Sequence, residues 1–109
     1  MAKQFGDLSG LVKQAQKMQA DMKRLQQDLK DRVFEGRAGG DAVIAYANGV
    51  HELLQVKIKP GVVDPDDIEE LEDLVVAAVR AALEEARRVS EEETNRITGG
   101  LHGGLPFGA

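Results

Sequence analysis

A chain of 109 residues with 42% hydrophobic content supplies one small core and not two, which excludes most multi-domain enzymes. Aromatic residues are only 4%, with no Trp, so the core must be built from Leu, Val, Ile, Met and Ala, and stacking of single-stranded bases on aromatic platforms is a poor fit. The net charge of -5 argues, as a total, against a nucleic-acid partner, and the absence of Cys excludes disulfides, thiolate zinc sites and thiol nucleophiles.

The first element is predicted as a helix over residues 7 to 32, which carries no Pro and, after Gly10, no Gly. Leu8, Leu11, Ala15, Met18, Met22, Leu25 and Leu29 recur at alternating spacings of three and four, a heptad seam. With Leu8 at position a, Asp7, Asp21 and Asp28 fall at g, Lys3, Lys17 and Arg24 at c, Lys23 and Lys30 at b, and Lys13 at f. One face is apolar and the far face is basic. Asp7 or Ser9 is a suitable cap for its start.

From Val33 the period changes to two. Residues 33 to 38 read as a first strand and Gly39-Gly40-Asp41 as a turn, and Asn48-Gly49 sits between two alternating segments as a hairpin signal. A two-residue turn there sets residue 47 opposite residue 50. Val43, Ala45, Ala47, Val50, Leu54 and Val56 then share one sheet face, and Ile44, Tyr46, His51 and Leu53 share the other, forming an extra apolar surface. Pro60-Gly61 closes the third strand.

Asp64-Pro65-Asp66-Asp67 is predicted to open a second helix at about residue 65, with Asp at the cap and Pro in the first turn. Its seam is Ile68, Leu71, Val75, Val79, Ala82, Ala86 and Val89, and it meets no breaker before Gly99-Gly100. So long a helix must project or pair. Residues 1–98 then form a single domain, and the Gly-rich residues 99–109 a flexible tail. The longest apolar run, Leu74 to Val79, falls far short of a membrane span, and the start of the chain lacks an apolar signal region, so the reading is a soluble, cytoplasmic protein with no membrane partner.

Catalytic constellations do not rise above background. His51 and His102 are the only imidazoles, one beside a hairpin turn and the other in the tail, and Ser9 and Ser90 fall on solvated helices. Asp64-Pro65-Asp66-Asp67 resembles the opening of a calcium loop, but Glu69 stands where the loop needs Gly, and an N-terminal cap explains it better. Glu91-Glu92-Glu93 reads as a solvated helix face, and Gly39-Gly40 joins two strands instead of opening a helix on a phosphate. The chain is read as a non-enzyme without cofactor, metal or small-molecule substrate.

The net charge hides an asymmetry. Residues 1 to 32 carry +3, residues 33 to 63 are neutral, residues 64 to 73 carry -7, and residues 74 to 109 carry -1. The basic face of the first helix is explained either as a solvated face or as a phosphate-binding one. Arg87 and Arg88 precede Glu91 and Glu92 by four residues, and Glu84 and Glu92 precede Arg88 and Arg96 by four, so these arginines have local partners. Lys13, Lys23 and Lys30 have no acid four residues away in either direction. The first helix is therefore the better phosphate candidate.

These residues resemble the YbaB/EbfC family of small bacterial nucleoid-associated proteins. The resemblance is carried by KQAQKMQ at 13–19, Gly36-Arg37-Ala38-Gly39-Gly40, Asn48-Gly49, Val56-Lys57-Ile58-Lys59-Pro60, ELEDLVVAA at 70–78 and Gly104-Leu105-Pro106, in the family's order along nearly the whole chain. It implies an α+β fold of helix, three-stranded antiparallel sheet and long helix, in a tight homodimer whose protruding helices bind double-stranded DNA with little or relaxed sequence preference, in the nucleoid. The family's basic positions fall here on Lys13, Lys17, Lys23 and Arg24 of the first helix and on Arg87 and Arg88 of the last, and the charge pattern adds Lys30. Leu54 and Gln55 stand where family members often carry basic residues, and Ile44 and Tyr46 where positions are usually polar. A prefoldin-like chaperone, gripping clients with apolar helix tips, and an oligomerisation scaffold without a nucleic-acid ligand are the alternatives.

Overall fold

The computed structural model describes residues 2–104, with side-chain surroundings for residues 8–99. Helix α1 (Ala2–Asp31) leads into strands β1 (Val33–Ala38), β2 (Val43–Asn48) and β3 (Leu53–Ile58), then a short 3-10 turn (Pro60–Val62) and helix α2 (Ile68–Gly104). The strands form one antiparallel sheet in the order β1-β2-β3, which is the α+β architecture the sequence predicts. The Cα radius of gyration is 21.0 Å, against about 13 Å for a compact chain of this length. The difference lies in helices that run past the sheet, over an extent of 78 × 28 × 16 Å.

The core is made from one sheet face and one helix stripe. Alternation along β2 turns Val43, Ala45 and Ala47 inward, where they are buried with Ala78 and Ala82 of α2, and Leu71, Leu74, Val75, Val79 and Leu83 close around them. The predicted α2 seam omits Ala78 and begins with Ile68. In the structure Ala78, Ala82 and Ala86 are the fully buried stripe, whereas Ile68 is 46% exposed. The cause is Gly36 of β1: a Cβ there would run into the Ala78 carbonyl oxygen and the Ala82 nitrogen. Helix and strand meet almost backbone to backbone, and only small side chains fit between them.

Three boundaries differ from the sequence reading. Helix α1 starts at Ala2, so Asp7 and Ser9 lie inside it and not at its start. Helix α2 starts at Ile68 because the two aspartates divide the work: the Asp64 carboxylate accepts the Asp66 N–H at 3.0 Å and closes a turn, and the Asp67 carboxylate accepts the Glu70 N–H at 3.3 Å as the actual cap. At the other end the helix continues to Gly104, with non-helical angles at Gly99 (φ 43, ψ -120) where the sequence places its end. Residues 105–109, the rest of the predicted tail, lie outside the described residues.

The β2–β3 connection is wider than the predicted two-residue turn. Asn48, 2% exposed, organises it: its side-chain oxygen accepts the Val50 N–H at 3.1 Å and the Glu52 N–H at 2.9 Å, and its amide donates to the Glu52 carboxylate at 2.7 Å. Ala47 therefore faces Leu53, not Val50, and Tyr46 faces Gln55, with a bulge that leaves Leu54 as the extra residue. The predicted apolar cluster of Ile44, Tyr46 and Leu53 does not assemble. Ile44 lies opposite Lys57, and the Lys57 ammonium stands 5.7 Å from the centre of the Tyr46 ring.

Candidate nucleic-acid interface

Among the described residues, helix α1 is anchored by its C-terminal end. Leu25 and Leu29 are buried, whereas Leu8, Leu11 and Val12 are 56%, 61% and 53% exposed. Among the described residues, Leu8, Leu11 and Ala15 of the seam's upper half are exposed, and the helix projects.

Successive residues lie about 100° apart around a helix, which sorts the α1 cations into two adjacent stripes. Lys13, Lys17 and Arg24 form one, and Lys23 and Lys30 form the other, and all five are exposed. The only carboxylates between residues 8 and 30 are Asp21 and Asp28. Both line a crevice with Arg24, Leu25 and, across on α2, Glu93 and Ile97. Lys23 and Lys30 each follow one of these aspartates by two residues, which carries them about 200° around the helix, away from α2.

The ion pairs separate the predicted residues further. Arg24 has a long contact of 3.8 Å with Asp21. Arg87 pairs with Glu91 at 3.6 Å, and Arg88 bridges Glu85 at 2.7 Å and Glu92 at 2.9 Å. Glu84, the predicted partner of Arg88, is replaced by Glu85, and Arg96 pairs with Glu93 at 3.3 Å instead of Glu92. Hydrogen bonds from Arg88 hold the Glu85 carboxylate below its ordinary value, and Glu85 in turn raises the Arg88 guanidinium. Arg87 and Arg88 face solvent beside the buried Ala86, on the side of α2 turned from the sheet. Among the described residues, Lys13, Lys17, Lys23 and Lys30 have no such carboxylate contact.

The structure thus gathers five of the seven predicted cations on one projecting helix and holds the other two, on α2, in local pairs. Lys57 and Lys59 were outside the predicted set. They line an open depression with Asp41, Ile44, Ile58 and Pro60, and the period-two alternation of β3 is the signal that places Lys57 on the outer face. Among the described residues, no helix is long and apolar enough to cross a membrane, and no cluster of His, Asp and Glu is arranged to hold a metal.

The chain is 52% identical over 101 residues to a nucleoid-associated protein of Acetivibrio thermocellus, covering 93% of this chain and 88% of that one. It is 48% identical over 102 residues to a nucleoid-associated protein of Clostridium perfringens, covering 94% and 89%. The crystal structure of an uncharacterized protein from Helicobacter pylori shares the fold, with a TM-score of 0.60 and 20% identity over 80% of this chain and 96% of the other. Residues 4–101 match the YbaB/EbfC DNA-binding family, and the chain belongs to that family.

Proposed function

We propose that the chain acts as a homodimer in the nucleoid, binding duplex DNA through the basic surface of α1 with little or relaxed sequence preference. The observation that carries this reading is the set of exposed, unpaired lysines Lys13, Lys17, Lys23 and Lys30 on a projecting helix whose Asp21 and Asp28 line the crevice with α2. Free ammonium groups at these positions neutralise phosphates and release counterions, which is the sequence-independent part of DNA affinity. The seven carboxylates of residues 64–73 lie at the opposite, sheet-proximal end of α2 and face elsewhere. Relatives named nucleoid-associated proteins support the cellular setting.

Uncovered apolar surface supports the dimer. Leu8, Leu11, Leu53, Leu54, Ile58, Val63, Ile68 and Val76 are all at least 40% exposed in the single chain, apolar surface that a second copy would cover. Two protomers also double the cationic surface. A gel-shift titration of the purified protein with duplex DNA at two salt concentrations tests the binding: a shift that weakens steeply with salt is expected, and absence of a shift at low salt overturns it.

One observation favours a second reading. Leu8, Leu11 and Val12 are exposed near the end of the projecting helix, which is where a prefoldin-like chaperone would grip a client. Suppression of aggregation of an unfolded model protein, undiminished by excess duplex DNA, would select that reading over the DNA clamp.

A further inference from the structure

We infer that the face of α1 turned away from α2 reads base edges in the DNA major groove, with Gln16 and Gln19 as the reading side chains and Lys23 and Lys30 holding flanking phosphates. The inference rests on the duplex-DNA reading and goes beyond it, since phosphate contacts alone carry no composition preference.

Gln16, Gln19 and Lys23 surround one shallow, open depression with Ala20. Gln16, Lys23 and Lys30 repeat every seven residues, so they stay in one column over about 21 Å of helix. Gln27 falls between this column and Lys13. All are exposed; Asp21 and Asp28 are on the opposite side, in the crevice with α2, and Asp31 follows Lys30 at the last residue of the helix. From Lys13 to Lys30 the surface is thus a row of amides edged by ammonium groups with no intervening negative charge.

That chemistry suits duplex DNA better than a protein or lipid surface. A helix of about 10–12 Å diameter fits a major groove about 12 Å wide, and a Gln amide both donates and accepts, as the adenine N6 and N7 edge requires. Lysines on the same face reach the phosphates on the groove walls. The small Ala20 beside Gln16 and Lys23 lets the helix sit close to the base edges.

The test uses the full chain and two duplexes of equal length, one A·T-rich and one G·C-rich, in competition binding at fixed salt. The native protein is expected to favour the A·T-rich duplex by roughly three- to tenfold. Gln16→Ala with Gln19→Ala, which keeps charge and helix propensity, should erase that ratio and leave the salt slope unchanged. Gln14→Ala, on the apolar seam beside Leu11, Ala15 and Met18, should retain it. A native protein without preference, a preference that survives in the double variant, or its loss in Gln14→Ala overturns the inference. Failure of the native protein to bind either duplex overturns the DNA reading itself.

Discussion

The Gly49 N–H donates to the Leu29 carbonyl oxygen at 2.7 Å, and this bond fastens the end of α1 to the β2–β3 turn. A Cβ at Gly49 would lie 2.7 Å from the Leu29 Cβ and from its carbonyl oxygen. The direction of the projecting helix is therefore set where a glycine admits a leucine. Gly49→Val is expected to destabilise the protein by about 1–3 kcal/mol through overpacking, read by chemical denaturation, and to lower DNA affinity with every lysine intact. Unchanged stability would show that the contact does not orient α1.

Leu29→Ala and Leu11→Ala distinguish the protomer core from the proposed dimer seam. Leu29 is 1% exposed, so its truncation should cost about 2–5 kcal/mol. Leu11 is 61% exposed in the single chain, so its truncation matters only if a second copy covers it. Thermal unfolding of Leu11→Ala should then fall below the native midpoint, and both midpoints should fall on dilution, because dimer stability depends on protomer concentration. A sedimentation profile of folded monomer at micromolar protein would remove the dimer.

Removing charge at Lys13, Lys23 and Lys30 should weaken duplex binding more than removing it at Arg87 and Arg88, whose guanidinium groups are held by Glu85, Glu91 and Glu92. Circular dichroism controls for helix content. Equal losses, or a larger loss from the arginines, would place the interface on α2.

The Arg88–Glu85 pair has a defined pH signature. The Glu85 carboxylate is held below its ordinary value by hydrogen bonds from Arg88, so its contribution to stability is complete above the unfolded carboxylate range and disappears as pH falls through the depressed folded value. The pair is solvent-exposed and the effect is small. The difference in melting temperature between native protein and Glu85→Gln should shrink toward zero on acidification. A difference that persists at the acid end would assign it to packing.

The elements were legible in the sequence because each announces its own period: three and four along residues 8–29, two along residues 33–58, and three and four again from Leu71 onward. What escaped were contacts that depend on another element. Asn48-Gly49 marks a turn, but its width is set by the Asn48 side chain capturing two backbone N–H groups, which pattern cannot show. Asp64 and Asp67 are equally good caps locally, and only the folded chain assigns the helix start to the second. The α2 core stripe was displaced toward Ala78 because Gly36, far away in sequence, demands small partners. The cationic surface of α1 was legible from heptad positions. Its separation from Asp21 and Asp28 needed the position of α2.

The most direct test is the salt dependence of duplex binding by the native protein and by a variant lacking the charges of Lys13, Lys23 and Lys30. Plotted as log affinity against log salt, the native protein should fall linearly, and the variant should fall less steeply by about 0.9 for each phosphate contact removed, equally for duplexes of different sequence. Parallel lines for the two proteins would contradict electrostatic capture of DNA by α1.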